Sequence, residues 1–378
     1  MDTVFGYNQM NAMESTPEMS VEKIIYVGCY TETPYAPDPA KYGIYVVRLH
    51  NERLEIVGQR EEKNITFILV DKERNKLYAT TEAKAPLSGI HRYDILSEES
   101  GALCNHIEVD FQHAGACYIG GLRTHKGALL AVAFYESGVV RLVVDTDNEL
   151  KPQEAVVFKE NSNVIRDRQE APHPHAAFPL DSGDEFLVPD LGGDVLYKLR
   201  IHNHTARLIH EIKLAPGSGP RHVVKHPTYN LLFIVSELSN VLTVYEVDGL
   251  CANFIQTDEQ STLGDIENSY RVPEDNMQIA AHLQLSKDGQ FVLVSNRGRH
   301  NSISIFKITN PDEGKIKLVR TISTQGYFPR FFTLIEDKYL LVANQLSNTL
   351  LLFRFDDGNV SEPISTLTIP NPAALALL

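Results

Sequence analysis

The sequence predicts an all-β fold: a seven-bladed β-propeller of four-stranded antiparallel blades, closed by the C-terminal strand joining the N-terminal blade. Three observations predict it: a repeated hairpin, the spacing of the repeats, and a strand at the C-terminal end that no repeat follows. Each repeat consists of an apolar run, a polar turn and an alternating run, and period-2 alternation around short turns is typical of hairpins. The clearest copies lie at 185–199, 231–245, 291–306 and 339–353.

The spacing of the repeats predicts the number of blades. If Asp190, Glu237, Asn296 and Asn344 are taken as equivalent points, the intervals are 47, 59 and 48 residues. Propeller blades repeat roughly every 40 to 50 residues. Three weaker copies bring the number of units to seven, and they lie at 24–49, 76–95 and 127–145.

A further short strand precedes the repeats and predicts how the ring closes. In three cases a proline introduces it, namely Pro220, Pro329 and Pro372. The last of these has no repeat after it, so we expect 373–378 to be the innermost strand of the blade that begins near Ile24. Such a closure removes two exposed sheet edges, which an open array would leave unpaired.

The composition limits the class of protein. The 378 residues are 43% hydrophobic and carry a formal net charge of -14, with no apolar run as long as the roughly 18 to 20 residues of a membrane span. Because an acidic chain without a basic run repels a phosphate backbone, we do not expect nucleic acid as a partner. Because no apolar run is long enough to span a bilayer, we do not expect a membrane as a partner either. We expect a flexible N-terminal tail at 1–20, which lacks a signal-peptide pattern, and a single domain at 21–378.

The cysteines indicate the compartment. They are dispersed, without CxxC or Cys/His spacing, which argues against a disulfide framework or a structural zinc site. Their positions are Cys29, Cys104, Cys117 and Cys251. We therefore expect a cytoplasmic protein. For its assembly we expect a monomer or weak homo-oligomer.

The blade pattern predicts which residues share a face. In a four-stranded meander, the connection between blades and the turn between strands two and three open on one face, here called the upper face, while the turn between strands one and two opens on the opposite face. The long connectors 159–172 and 258–277 also belong to the upper face, where binding loops are usual. The residues assigned to it are His173, His175, Asp190, Arg221, His222, Glu237, Arg297, Arg330 and Gln345.

Arginines gather on the upper face of this acidic chain. They are Arg166, Arg168, Arg221, Arg297, Arg299 and Arg330. A guanidinium group suits carboxylate or phosphate, and a low-dielectric cleft strengthens the attraction, so we expect a small anionic substrate. The alternative is that several of them only solvate loops or pair with Glu170, Glu237 and Asp265.

Two histidines and one acid carry the candidate chemistry. His173 and His175 lie two residues apart at the start of an inner strand, where an imidazole can take or give a proton near neutral pH. Alternatively, such a histidine caps a loop, or binds a metal with Glu237 or His282. Glu237 follows the apolar run 232–235 directly; burial would raise its pKa and a neighbouring arginine would lower it. It could also only cap the turn that follows.

Several motifs resemble those of the seven-bladed propeller lactonases, which include propeller-type 6-phosphogluconolactonases and the fungal 3-carboxy-cis,cis-muconate lactonizing enzyme. The motifs lie at 173–175, 187–192, 217–222, 236–240, 285–289 and 295–297. The resemblance covers nearly the whole chain from Ile24. It implies a cofactor-free reaction and a catalytic set of His173 or His175, Arg221, Glu237 and Arg297.

The resemblance implies hydrolysis of a sugar-type lactone, with 6-phosphogluconolactone or a related anionic lactone as the first hypothesis. Glu237 or a histidine would activate water, and an arginine would stabilise the oxyanion. The substrate contacts would come from His222, Asp190, His282, Arg330 and Gln345, without a metal. Two alternatives stay open: a muconate-type cycloisomerase, and a non-catalytic propeller that binds an anionic metabolite or a protein.

Overall fold

The computed structural model describes residues 21–378 except 33, 35, 125–126, 147, 249–250, 252 and 267–276. In this part of the chain, 28 β-strands form seven four-stranded sheets. The expected tail at 1–20 lies outside the described residues. Two 3-10 helices of three residues each lie at Pro311–Glu313 and Gln345–Ser347.

The strands of the first four blades follow in chain order. Blade 1 contains β1 (Lys23–Cys29), β2 (Ile44–His50) and β3 (Arg53–Arg60). Blade 2 contains β4 (Ile65–Asp71), β5 (Lys76–Thr81), β6 (Ser88–Ile95) and β7 (Leu103–Phe111). Blade 3 contains β8 (Ala116–Thr124), β9 (Gly127–Phe134), β10 (Val139–Asp145) and β11 (Leu150–Val157). Blade 4 contains β12 (Phe178–Pro179), β13 (Glu185–Asp190), β14 (Val195–His202) and β15 (Thr205–Lys213).

The remaining strands complete the ring. Blade 5 contains β16 (Pro220–Lys225), β17 (Leu231–Ser236), β18 (Val241–Val247) and β19 (Phe254–Ser261). Blade 6 contains β20 (Gln278–Leu285), β21 (Phe291–Gly298), β22 (Ser302–Asn310) and β23 (Lys315–Ser323). Blade 7 contains β24 (Pro329–Ile335), β25 (Tyr339–Asn344), β26 (Thr349–Asp356) and β27 (Asn359–Thr368), and the last strand is β28 (Pro372–Leu377).

The C-terminal strand closes the ring as the sequence predicts. Strand β28 pairs antiparallel with β1, from Ile25 opposite Leu377 to Gly28 opposite Ala374, and blade 1 therefore has the order β28-β1-β2-β3. The prediction of an all-β, seven-bladed propeller of antiparallel blades is confirmed. Because the first and last segments share one sheet, β1 is not left as an edge strand and β28 is not left unpaired.

Burial explains the two kinds of apolar pattern in each repeat. The second strand of a blade is covered on both faces by neighbouring blades, and β13 and β17 are buried at every position. The outermost strand meets solvent, so β15 is mostly exposed. Since each blade packs face to face on the next, the apolar core is divided among the blade interfaces.

The hairpin registers correct the equivalence assumed from the sequence. Asp190, Ser236 and Asn344 each pair with the residue five positions further along the chain. Ser236, and not Glu237, therefore corresponds to Asp190, so the assumed alignment was wrong by one residue in blade 5. The position after these residues is here called the rim ring, and it consists of Tyr30, Glu82, Tyr135, Leu191, Glu237, Arg297 and Gln345.

The innermost strands share a second feature. Near its start, each has a register shift that leaves one extra residue opposite its partner strand, and such a bulge turns a side chain out of the ladder. In blade 4 the same position lies between the bridge at Pro174 and the start of β12. These residues are here called the bulge ring: Thr66, Cys117, His175, Arg221, Ala281, Arg330 and Ala373.

Candidate active site

The rim ring and the bulge ring line one cavity of about 520 Å³, which lies within the roughly 300 to 1,000 Å³ of small-molecule sites. The rim ring contributes Tyr30, Glu82, Tyr135, Glu237, Arg297 and Gln345, and the bulge ring contributes Cys117, His175, Arg221 and Arg330. Connectors on the upper face supply the remaining wall, including Arg168 and Phe328. All seven blades thus place side chains in the same space.

Glu237 is a buried carboxylate enclosed by arginines. Its Oε1 lies 2.6 Å from Arg168 Nη2, its Oε2 lies 3.0 Å from Arg297 Nη2, and Arg221 Nη1 also donates to Oε2. Burial opposes ionisation, but the positive charges of Arg221, Arg297 and Arg168 outweigh it and hold the pKa of Glu237 well below its usual range. Glu237 is therefore ionised at neutral pH.

His175 lies beside this carboxylate as a neutral imidazole. Burial, together with the charge of Arg221, lowers the pKa of His175 well below its usual value. Its Nε2 accepts a hydrogen bond from Arg221 and lies 4.0 Å from Glu237 Oε2. Because an arginine can only donate, the proton of His175 is on Nδ1, which has no hydrogen-bond partner among the described residues.

A second carboxylate lies in the same cavity. Tyr30 donates from its hydroxyl to Glu82 Oε2 over 2.8 Å, and Arg330 Nη2 lies 3.4 Å from the same oxygen. The Arg330 guanidinium also lies 5.2 Å from the centre of the Tyr30 ring. This arginine–carboxylate contact is longer than those of Glu237, so Arg330 is the more available to a ligand.

The charges of the cavity favour an anion. Four arginines and two glutamates line it, and with His175 neutral the formal charge is positive by two. The whole chain has a formal charge of -14, so the cavity is a local exception. Anions are attracted to such an enclosed positive site because its low-dielectric walls screen the field poorly.

One buried aspartate connects the elements that carry two of these arginines. Asp194 Oδ1 accepts a hydrogen bond from the side chain of Gln169, the neighbour of Arg168, over 2.8 Å. The carboxylate also accepts the backbone N–H groups of Gly217 and Gly219, over 2.6 and 2.7 Å. Asp194 thus ties the connector before blade 4 to the loop that starts β16.

The structure separates the two histidines of the HPH segment. His173 Nδ1 lies 2.9 Å from the Tyr135 carbonyl oxygen and Nε2 lies 3.1 Å from Glu170 Oε1, and His173 does not line the cavity. Asp190 Oδ1 accepts the backbone N–H of His173 over 2.6 Å and that of Gly192 over 3.0 Å. Asp190 therefore holds the backbone of this turn and lies outside the cavity lining.

His222 and His282 lie deeper in the channel. Each follows a bulge-ring residue along its innermost strand; their Nδ1 atoms lie 3.2 Å apart, and His282 stacks on Phe331 at 3.7 Å between ring centres. Burial lowers the pKa of both, that of His282 to about 3. With Tyr118, which contacts His222, they form an aromatic layer under the cavity rather than part of its lining.

Sequence reasoning missed several lining residues. They are Tyr30, Glu82, Cys117, Tyr135, Ile279 and Phe328. A signal was present for Glu82, because it follows β5 directly as Glu237 follows β17. Of the six arginines assigned to the upper face, Arg166 and Arg299 are exposed and do not line the cavity. Burial raises the pKa of Cys117 to about 12, so its thiol is protonated.

The fold is that of a propeller lactonase. The family described as "Lactonase, 7-bladed beta-propeller" matches residues 24–377, and the chain belongs to this family. Among the residues described by the structure, no helix has the length and apolar character needed to cross a membrane.

Individual relatives extend the comparison. The chain is 28% identical over 362 residues to the 6-phosphogluconolactonase of Bacillus subtilis (strain 168), covering 93% of this chain and 97% of the relative. It is 31% identical over 303 residues to the 6-phosphogluconolactonase of Formosa agariphila, covering 78% of this chain and 82% of the relative. Among solved structures, the periplasmic gluconolactonase of Pseudomonas aeruginosa superposes with a TM-score of 0.82 at 24% identity, over 95% of this chain and 99% of that chain.

Proposed function

We propose that the chain hydrolyses the ring ester of an anionic sugar lactone, with 6-phosphogluconolactone as the leading substrate. The observation that carries the proposal is the ionised carboxylate of Glu237, held among Arg168, Arg221 and Arg297 in a cavity with excess positive charge. The names of the Bacillus and Formosa relatives support the same substrate.

In the proposed mechanism, Glu237 takes a proton from a water molecule that attacks the lactone carbonyl carbon. Arg221 and Arg297 donate hydrogen bonds to the oxyanion that forms, in a site where water screens little. The ring carbon–oxygen bond then breaks, and Glu237 returns the proton to the leaving ring oxygen. The products are a hydroxyl group and a carboxylic acid, which loses its proton to solvent.

The neutral His175 has a positioning role in this proposal. Its Nε2 accepts from Arg221 Nη1, the same nitrogen that donates to Glu237 Oε2, so the imidazole and the carboxylate together fix this end of the guanidinium. A protonated imidazole could not accept this bond and would repel Arg221. The depressed pKa of His175 keeps the arrangement intact at neutral pH.

Arg330 is proposed to bind the substrate's phosphate. It lies in the same cavity, and among the described residues its guanidinium meets a carboxylate only in the 3.4 Å contact with Glu82. A phosphate carries more negative charge than the Glu82 carboxylate, and the planar guanidinium can donate to two phosphate oxygens at once.

The first experiment measures ring opening of 6-phosphogluconolactone and of unphosphorylated gluconolactone by the purified protein. We expect acceleration above the spontaneous rate, and Glu237→Gln should lower kcat/KM by about 10²- to 10⁴-fold, the contribution of general acid–base catalysis. Glu246→Gln, at an exposed position of β18 in the same blade, is the matched control and should keep full activity.

Two outcomes would contradict the proposal. No acceleration with either lactone would exclude the activity, and a folded Glu237→Gln variant with full activity would exclude the assigned role of Glu237. Circular dichroism and thermal unfolding of each variant establish whether it is folded.

We also propose a cytoplasmic location and a monomeric or weakly associating chain. The location is supported by four free cysteines, as expected in a reducing compartment. Since one structural neighbour is named periplasmic, cell fractionation is the deciding measurement, and size-exclusion chromatography with light scattering decides the oligomeric state.

A further inference from the structure

A second group of polar side chains lies away from the active-site cavity, at the junction of blades 1 and 2. Glu62 is in the connector between β3 and β4, His91 is on β6 and His106 is on the outermost strand β7. One ligand atom of each lies within 4.8 Å of the other two. His91 Nδ1 lies 3.0 Å from His106 Nε2, and the Glu62 oxygens lie 3.6 Å from the first and 3.9 Å from the second.

These separations are close to those of metal ligands. A tetrahedral zinc ion with bonds of about 2.0 to 2.1 Å places neighbouring ligand atoms about 3.3 Å apart. The three separations of 3.0, 3.6 and 3.9 Å lie on both sides of that value. Side-chain movements of a few tenths of an ångström would therefore complete three bonds.

The surrounding groups orient the same atoms. His91 Nε2 lies 2.5 Å from Thr81 Oγ1, and if Nε2 donates this bond, the lone pair of Nδ1 points at the cluster. Glu62 Oε1 accepts from the Tyr93 hydroxyl and lies 3.3 Å from Arg60 Nε, so the Oε2 atom faces His91. Such partners are usual behind metal ligands, since they fix the tautomer and the carboxylate.

The cluster opens into a second cavity, of about 460 Å³, that Glu62 and His91 help to line. Five acidic residues and two lysines line it, so its formal charge is negative, opposite to that of the active site. Glu62, Glu108 and Asp110 are three of these acidic residues, so carboxylates are crowded in this cavity. A cation would relieve this crowding, and the cavity gives it access and space for a fourth ligand.

We propose that Glu62, His91 and His106 bind one zinc-type divalent metal ion, which links the connector between blades 1 and 2 to the two outer strands of blade 2. Two imidazoles and one carboxylate are a ligand set suited to zinc. The site is separate from the lactonase cavity and takes no part in the proposed hydrolysis. Its role is structural, since the ion would tie the connector that carries Glu62 to two strands that already pair with each other in one sheet.

The test titrates the full-length, chelator-treated protein with Zn²⁺ by calorimetry and follows thermal unfolding. We expect one ion per chain with a Kd below the micromolar range, and a rise in Tm. His106→Gln should weaken binding by about 100-fold or more, and His210→Gln, also at an exposed position on an outermost strand, should leave it unchanged. A Cys104→Ser variant, also unchanged, shows that the nearby thiol of β7 is not the ligand.

Cobalt(II) gives a readout that does not depend on any variant. Four-coordinate Co²⁺ in the wild-type protein should absorb strongly in the visible region, and Zn²⁺ should displace it. Absence of stoichiometric zinc binding, a six-coordinate cobalt spectrum, or full affinity in His106→Gln would each overturn the proposal. In those cases the His91–His106 contact is a hydrogen bond only.

Discussion

The chemistry of the cavity depends on a few side chains placed at equivalent positions of different blades. Glu237 and Arg297 occupy the same rim-ring position in adjacent blades, and their contact of 3.0 Å is a consequence of that equivalence. Removing one partner from a buried ion pair costs about 3 to 5 kcal/mol. Substitutions of Glu237 therefore need a folding control beside every activity measurement.

Arg330→Gln tests the phosphate contact. We expect the KM for 6-phosphogluconolactone to rise about 10- to 100-fold, which corresponds to one hydrogen bond to a charged group of about 1.5 to 3 kcal/mol. The KM for unphosphorylated gluconolactone should change little, because the lost partner is the phosphate. Steady-state kinetics on both lactones measure this, and Arg299→Gln, exposed and outside the cavity, is the control. Equal losses on both substrates would contradict the assignment of Arg330.

At the scale of single residues, the sequence predicted several of the side chains that line the cavity. Arg221, Glu237 and Arg297 lie at strand ends of the clear repeats, where the hairpin pattern defines the position, and the structure brings them together. His173 and His175 could not be distinguished, because the bulge that turns only His175 into the cavity depends on pairing between strands. Glu82 was missed since its blade repeats the pattern more weakly.

At the scale of elements, the site depends on how strands begin. Prolines start β16, β24 and β28, and the residue after each proline is the unpaired one of the bulge. The prolines were visible in the sequence, and they predicted the strands correctly. The bulges were not visible, because an extra residue is defined only relative to the partner strand. The one-residue error at Glu237 has the same origin, since pairing and not spacing sets the register.

Asp194→Ala tests the link between two such elements. The substitution leaves the backbone N–H groups of Gly217 and Gly219 and the Gln169 amide without their acceptor, so we expect a loss of about 1 to 3 kcal/mol in the free energy of unfolding. Because the elements carrying Arg168 and Arg221 both shift, kcat/KM should also fall. Urea unfolding and lactone kinetics measure the two effects.

The control for this variant is Asp181→Ala, in an exposed turn of blade 4 where Lys225 is paired with the carboxylate. An exposed pair contributes about 0 to 1 kcal/mol, so this variant should retain both stability and activity. An Asp194→Ala protein as stable and active as Asp181→Ala would show that the hydrogen bonds of Asp194 do not position the arginines.

At the scale of the whole molecule, the closed ring is supported by the side chains that fill its central channel. Each blade contributes its innermost strand to the channel, and the side chains below the cavity are aromatic rings and buried histidines. A filled channel holds the seven blades at a fixed separation. The neutral state of these histidines is thus part of the folded structure and not only of the site.

This arrangement predicts that acid destabilises the protein between about pH 6.5 and pH 3. The pKa of His282 is lowered to about 3 and that of His222 lies well below 6.5, whereas in the unfolded chain both have an ordinary value of about 6.5. Between these values the unfolded state binds more protons than the folded state, so stability is present above pH 6.5 and is lost as pH falls. The loss is up to about 1.4 kcal/mol per pH unit for each such histidine.

Urea unfolding at intervals from pH 7.5 to 4 measures this loss. His282→Gln should reduce the slope of the free energy of unfolding against pH, and the exposed His210→Gln should leave that slope unchanged. A free energy of unfolding that does not depend on pH would contradict the prediction.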